Sequence, residues 1–161
     1  MELYAVIGKP LSHSMSADYF TRKFASAGEL DLREYRKIEL ENIEELPAMV
    51  AQNPNLRGFN VTHPYKEQII PHLTSLSEEA RKIGAVNCVR CEADGSLVGY
   101  NTDFEGMRGM ILGMGFSFEG KKIVILGTGG TSHTARAVAK DLGAGEILLT
   151  SMDCDGTKAS P

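Results

Sequence analysis

A short apolar strand that runs directly into a lysine-bearing helix constrains the fold of this 161-residue chain more than any other stretch. Residues 56–62 have the composition of a buried strand, and Pro64 ends it, because proline has no N–H for the strand ladder but suits a helix start. Asn60 and Thr62 project to one face of the strand, and Lys66 follows one turn later. Buried amide, hydroxyl and ammonium groups need hydrogen-bond partners or a polar pocket. The stretch therefore predicts either a helix cap beside a solvated lysine or a polar ligand site with a lysine acid/base.

Two other predicted strand-to-helix junctions carry polar side chains of the same kinds. The apolar run 3–8 is followed by a serine-rich loop with Ser14 and Ser16, and the strand 97–100 is followed by Asp103. Helix capping by a serine or by the aspartate would account for each junction separately. The carboxyl ends of parallel strands are also where open α/β folds bind ligands. Capping and a shared ligand site therefore both remain open at this stage.

Two further strands of the predicted sheet carry polar side chains that do not lie at these junctions. Residues 33–40 alternate as an outer strand would, with Tyr35 on the face opposite Ile38. Asn87 is a polar interruption in a strand that starts near residue 83. The Asp-Gly pair at 94–95 predicts a hairpin that joins this strand to the next.

Composition and charge indicate an ordinary soluble protein. The chain is 42% hydrophobic and 24% charged, and its net charge of −4 comes from 17 Lys and Arg against 21 Asp and Glu. Neither sign forms a long block, so we expect no nucleic-acid or membrane partner. The sequence shows neither an apolar run of membrane-spanning length nor a leader pattern, and we expect a cytoplasmic location.

The three cysteines predict neither a disulfide framework nor a metal site. Cys88, Cys91 and Cys154 are odd in number and sparse. The first two are three apart in a predicted strand and therefore point to opposite faces. The four histidines show no ligand spacing, and we expect no bound metal.

The last third of the chain has the pattern of a phosphate-binding half-unit. A strand over 121–126 is followed by a glycine turn, a helix over 133–142 and a strand over 146–150. Glycines at such a turn let the backbone close on a pyrophosphate at the helix N-terminus. The alternative is a structural strand-to-helix turn. The candidate cofactor-binding residues are Gly127, Thr128, Gly129, Gly130 and Thr131.

Taken together, these motifs resemble those of the shikimate dehydrogenase family. Residues 8–16 are similar to the family's Gly-x-Pro…His-Ser-x-Ser, and residues 60–66 to its Asn-Val-Thr-x-Pro-x-Lys. Residues 84–87 and 101–103 follow in the family's order and spacing. The resemblance implies an N-terminal three-layer α/β substrate domain with a mostly parallel sheet, over 1–103. The start of a Rossmann-type NADP-binding domain would follow over 104–161.

The resemblance also implies an activity and residue roles. The activity is the NADP-dependent, reversible reduction of 3-dehydroshikimate to shikimate, which is an oxidoreductase step of chorismate and aromatic amino-acid biosynthesis. We expect a monomer or a homodimer, and a small molecule as its only partner. Lys66 and Asp103 would be the catalytic pair, with the lysine giving a proton to the carbonyl oxygen as hydride arrives. The implied substrate-binding residues are Ser14 and Ser16 for the carboxylate, and Asn60, Thr62 and Asn87 for the ring hydroxyls.

Three departures from the family's pattern keep alternatives open. Ala17 replaces the usual proline after the second serine, which is a small change at a helix start. Met152 stands where an arginine would hold the 2′-phosphate of NADP, and Asp153 follows it, so NAD is possible. The chain is also shorter than the family's enzymes, and we expect a fragment of a longer enzyme rather than one completed by a partner chain. The alternatives are a relative that oxidises quinate with NAD and a substrate-binding module without turnover.

Overall fold

The computed structural model describes residues 1–127 and 129–150. The chain divides into two compact units, Met1–Asn101 and Thr102–Pro161. Both are α/β, with a mostly parallel sheet in the first and a parallel strand pair in the second. This is the predicted fold class.

The first unit alternates strands and short helices along the chain. Its elements are β1 (Glu2–Gly8), α1 (Ser16–Ser26), β2 (Arg33–Glu39), a 3-10 turn (Ile43–Glu45), α2 (Leu46–Gln52), β3 (Leu56–Val61), α3 (Tyr65–Gln68), a 3-10 turn (Ile70–His72), β4 (Ser75–Leu76), α4 (Glu78–Ile83), β5 (Cys88–Cys91) and β6 (Leu97–Tyr100). Local signals explain several of these boundaries. Pro47 lies in the first turn of α2, where its missing N–H costs little. Ser77 caps α4 by accepting a hydrogen bond from the Ala80 N–H, and Gly84 ends α4 with a φ of 75°.

The sheet of the first unit has the strand order β2-β1-β3-β5-β6-β4. Strands β2, β1 and β3 are mutually parallel, β5 is antiparallel to both β3 and β6, and β4 is parallel to β6. All strands except β5 therefore run in the same direction. The predicted Asp-Gly hairpin joins β5 to β6, with Gly95 at a φ of 86°.

Helices cover both faces of this sheet. The larger core lies on one face, where Leu3, Ala5 and Ile7 of β1 pack with residues of α2, α3 and α4. The smaller core lies on the other face, where Val6 of β1 packs with Phe24 of α1. Alternate residues of one strand therefore enter different cores, as the two-residue repeat of a strand requires. This arrangement is the predicted three-layer substrate domain.

The second unit contains the predicted strand-turn-helix-strand sequence. Its described elements are α5 (Asp103–Gly113), β7 (Lys122–Leu126), α6 (Gly130–Asp141) and β8 (Glu146–Thr150). Strands β7 and β8 pair in parallel, from Lys122 opposite Glu146 to Leu126 opposite Thr150. Helix α6 buries Thr134, Val138 and Ala139 and begins directly after the glycine turn, as the start of a Rossmann-type fold does.

Within the described ranges, every helix is too short or too polar to cross a membrane. The same residues hold no cluster of three or more His, Cys, Asp or Glu side chains suited to a metal ion.

Candidate functional site

The ends of four strands meet along one edge of the six-stranded sheet, which we call the carboxyl edge. Strands β1, β3 and β6 finish there, at Gly8, Val61 and Tyr100, and the antiparallel β5 begins there at Cys88. The residues that follow β1, β3 and β6, and the residue before β5, therefore lie along this edge. The arrangement brings together on one side of the first unit the candidate residues Ser14, Ser16, Thr62, Lys66 and Asn87.

Backbone and carboxylate contacts hold the loop between β1 and α1. The Lys9 N–H donates to the His63 carbonyl oxygen at 3.0 Å, and the Leu11 N–H donates to Glu39 Oε1 at 2.5 Å. Lys9 also forms an ion pair with Glu41. The loop is therefore tied both to the β3–α3 junction and to the end of β2, which fixes where its serines lie.

The serines of this loop do not cap α1. The N-cap residue is Met15, which makes no side-chain cap hydrogen bond, and Ser16 is the first residue of the helix. Both Ser14 and Ser16 are partly buried. The alternative that capping explains these serines is therefore wrong.

The β3–α3 junction packs tightly against the end of β1. The Thr62 N–H donates to the Ile7 carbonyl oxygen at 2.9 Å, which continues the parallel pairing beyond Val61. The N-cap of α3 is Pro64, which makes no side-chain cap hydrogen bond, so Thr62 does not cap this helix either. Thr62 and Lys66 are partly buried.

Backbone hydrogen bonds hold Asn87 and the residue before it against Lys66 and two strands. The Val86 N–H donates to the Lys66 carbonyl oxygen at 2.7 Å. The Asn87 carbonyl oxygen accepts the Val61 N–H at 2.9 Å, and the Asn87 N–H donates to the Tyr100 carbonyl oxygen at 3.0 Å. Asn87 is thus fixed between β3 and β6, and its side chain is among the few buried polar groups in the described residues.

Asn60 lies on β3, two residues before Thr62, and two hydrogen bonds hold its side chain. The Tyr35 hydroxyl donates to Asn60 Oδ1 at 2.7 Å, and Asn60 Nδ2 donates to the Asn87 carbonyl oxygen at 3.3 Å. Burial raises the pKa of Tyr35 above its ordinary value. The sequence assigns Tyr35 to a strand face but does not connect it to the site. The sequence feature that could have pointed to this contact is the hydroxyl group of Tyr35 on the inner face of an outer strand.

Asp103 begins α5 and belongs to the second unit, whereas Lys66 belongs to the first. The N-cap of α5 is Thr102, which makes no side-chain cap hydrogen bond to the helix. Thr102, and not Asp103, therefore occupies the N-cap position of α5.

The described part of the glycine turn before α6 includes a glycine in the left-handed region of backbone conformation. Gly127 has a φ of 120°, which disfavours any residue with a side chain, and its N–H donates to the Thr150 carbonyl oxygen at 2.7 Å. Gly129 is the N-cap of α6, and Gly130 and Thr131 form its first turn. Helix N-termini of this kind favour anions. Three residues with predicted roles lie outside the described residues: Thr128, Met152 and Asp153.

The two described cysteines have little thiolate character. Burial raises the pKa of Cys88, and burial raises the pKa of Cys91 to about 11. A protonated thiol is a poor nucleophile and metal ligand, so neither residue is a candidate for the chemistry of the carboxyl edge.

Comparison with known proteins assigns the fold to one class. The family model described as the shikimate dehydrogenase substrate binding domain matches residues 6–89. Shikimate dehydrogenase (NADP(+)) of Staphylococcus aureus strain Newman is 42% identical over 100 residues, which are 62% of this chain and 37% of that protein. The segment matched by the family model contains all of the candidate residues of the first unit.

Solved structures extend the similarity to nearly the whole chain. Shikimate dehydrogenase 1 from Peptoclostridium difficile superposes with a TM-score of 0.86 at 34% identity, over 98% of this chain and 58% of that one. Shikimate 5-dehydrogenase from Thermus thermophilus, solved in complex with NADP(H) and shikimate, gives a TM-score of 0.79 at 31% identity, over 96% and 57%.

These similarities define a substrate-binding domain followed by the start of a nucleotide-binding fold. The chain belongs to the shikimate dehydrogenase family, and it spans 37% of the length of the S. aureus relative.

Proposed function

We propose that this chain binds shikimate and 3-dehydroshikimate at the carboxyl edge and interconverts them with NADP as the hydride carrier. One observation carries the proposal. The N-cap residues of α1, α3 and α5, the helices that follow β1, β3 and β6, make no side-chain cap hydrogen bond. This supports the polar ligand site, which is the alternative to helix capping at these junctions.

The substrate's chemistry matches the side chains along this edge. A ring with a carboxylate and several hydroxyls needs hydroxyl and amide partners, because burying such groups without hydrogen bonds is costly. Ser14 and Ser16 would bind the carboxylate, and Thr62, Asn87 and Asn60 the ring hydroxyls. The family relative from T. thermophilus was solved with shikimate bound, which supports this substrate class.

Lys66 and Asp103 are the proposed catalytic residues. Hydride addition to the ketone builds negative charge on its oxygen, and a proton donated by the Lys66 ammonium would neutralise that charge. In the reverse direction the neutral amine would take the proton from the alcohol. Asp103 would favour the charged ammonium and orient it.

The described part of the glycine turn fits a dinucleotide. Gly127 supplies the left-handed backbone, and Gly129 with Gly130 brings the N-terminus of α6 within reach of a pyrophosphate without an intervening side chain. NADP, when bound, supplies or accepts the hydride. The S. aureus relative is named for NADP(+), and that name supports NADP over NAD. Location in the cytoplasm, a monomeric or dimeric state and a place in aromatic amino-acid biosynthesis belong to the same proposal.

Shikimate binding and nicotinamide reduction test the proposal separately. Calorimetric titration with shikimate should show one site, and quinate should bind more weakly. Reduction of NADP⁺ by shikimate should exceed reduction of NAD⁺. Absence of shikimate binding would contradict the proposed function. Shikimate binding without reduction of either coenzyme would favour a substrate-binding module without turnover. A preference for quinate with NAD⁺ would favour a relative that oxidises quinate.

A further inference from the structure

The Tyr35 hydroxyl donates a hydrogen bond to one of the proposed substrate ligands, Asn60. We propose that Tyr35 is a positioning residue, which orients the Asn60 side chain toward the substrate without touching it. The inference rests on the proposed function, because it concerns the same binding site. It assigns a binding role to an outer strand, β2, that contributes no proposed ligand of its own.

The hydrogen-bond directions at this hydroxyl are set by simple counting. A tyrosine hydroxyl has one hydrogen to donate. That hydrogen goes to Asn60 Oδ1, at 2.7 Å, because an amide oxygen can only accept. Tyr35 is therefore the donor and Asn60 Oδ1 the acceptor of this hydrogen bond.

The same contact fixes which way the Asn60 amide faces. Because Oδ1 accepts from Tyr35, the amino group of the side chain lies on the other side, where it donates to the Asn87 carbonyl oxygen at 3.3 Å. An amide rotated by half a turn would place its amino group against the Tyr35 hydroxyl and its oxygen against a carbonyl. The network thus runs from Tyr35 through Asn60 to the backbone of Asn87, and Asn60 and Asn87 are both proposed substrate ligands.

Packing holds the Tyr35 ring but leaves the amide dependent on its hydrogen bonds. The ring stacks on Phe20, with centroids 4.6 Å apart and planes at 9°. Tyr35 itself is only 8% exposed. Asn60 borders a cavity of about 370 Å³ on the α1 face of the sheet, and Tyr35 and Phe20 line the same cavity. Open space beside the amide would let it rotate once the Tyr35 hydroxyl is removed.

The test is a hydroxyl deletion with a matched control. Tyr35→Phe keeps the ring and removes the hydrogen bond to Asn60, and its shikimate affinity by calorimetry should fall about fivefold, as expected for one neutral hydrogen bond. Tyr4→Phe is the control: the Tyr4 side chain lies on the same sheet face and donates to Glu2 Oε2 at 3.2 Å, away from the proposed ligands. Its affinity should equal that of the unmodified chain. A role confined to stability would lower the unfolding midpoint of Tyr35→Phe without changing its affinity.

A second pair of variants separates positioning from direct contact. If Tyr35 acts through Asn60, the loss caused by Tyr35→Phe should be smaller in an Asn60→Ala background than in the unmodified chain. Phe20→Leu, which removes the stacked ring and leaves every hydroxyl in place, should also weaken binding. If Tyr35→Phe does not fold, the shikimate affinity of Phe20→Leu tests the positioning role instead.

The outcomes distinguish this inference from the function on which it rests. An unmodified chain that binds shikimate, with Tyr35→Phe or its Phe20→Leu substitute binding equally well, would overturn the positioning role and leave the proposed function intact. Equal losses from Tyr35→Phe with and without Asn60 would also overturn it. An unmodified chain that does not bind shikimate would overturn both.

Discussion

Thr62 lies so close to Gly8 that no side chain fits between them. A Cβ on Gly8 would lie 2.4 Å from Thr62 Cγ2 and 2.9 Å from the His63 carbonyl oxygen. The threonine is short and branched, and its backbone is already bonded to β1, so neither neighbour can move away cheaply. The close approach of the β1 and β3 ends therefore depends on a glycine at the end of β1.

Gly8→Ala should destabilise the first unit by about 1–3 kcal/mol, as overpacking does, and should also weaken shikimate binding because Thr62 is displaced. Urea unfolding and calorimetry would measure the two effects. Gly109→Ala is a suitable control, since a Cβ there meets nothing within 4 Å and alanine favours the helix. A Gly8→Ala chain as stable as the unmodified one would show that the junction can expand.

Lys66→Ala should separate binding from chemistry. Without the proton donor, turnover should fall by about 10²–10⁴-fold, while shikimate affinity stays within a few-fold of the unmodified value. The steady-state reduction of NADP⁺ and calorimetry measure these quantities. The exposed Lys82, paired with Glu78 at 2.5 Å on α4, supplies the matched Lys82→Ala control with unchanged turnover. Survival of turnover in Lys66→Ala would refute the catalytic assignment.

Tyr65→Phe should affect stability and leave shikimate affinity unchanged. The Tyr65 hydroxyl donates to the Leu40 carbonyl oxygen at 2.7 Å inside the larger core, on the face opposite Tyr35. Its removal leaves a buried carbonyl without that donor and should lower the free energy of unfolding by about 1–3 kcal/mol. Tyr19→Phe, at a ring that is 55% exposed, should change stability little. Equal unfolding midpoints for the two variants would contradict this account.

Cys91 should resist alkylation at mildly alkaline pH. Burial raises its pKa to about 11, so the thiolate fraction of the native chain stays small until the pH approaches that value. The unfolded thiol ionises at lower pH, which favours unfolding, so this group's contribution to stability is complete at neutral pH and declines as the pH rises toward 11. Mass spectrometry of a Cys154→Ser chain treated with iodoacetamide would follow the modification. Alkylation at a pH of about 8 as fast as in urea would refute the buried thiol.

Sequence patterns were sufficient for the fold and for the placement of most candidate residues. The apolar run of β1, the hairpin before β6 and the glycine turn before α6 each depend on nearby residues, and all three were predicted. The two-residue strand β4 was not predicted, because pairing with β6 and not local composition creates it. The capping alternatives could be decided only by the backbone, since a serine near a helix start has the same sequence signature whether or not it is the N-cap.

The contact between Tyr35 and Asn60 shows the limit of local patterns. These residues are 25 positions apart, and β1 lies between their strands in the sheet. No periodicity relates them, because their approach follows from strand order and from the position of α1 above them. The sequence could assign Tyr35 to a face but could not identify its partner.

The reversed direction of β5 has a practical consequence for labelling this protein. Because β5 leaves the carboxyl edge and β6 returns to it, the turn at Asp94 and Gly95 that joins them lies at the far end of the sheet and is exposed. A fluorophore or a short peptide tag inserted at this turn would sit a full strand length from Asn87. The hairpin thus offers an attachment point for immobilising the chain at the end of the sheet opposite the carboxyl edge.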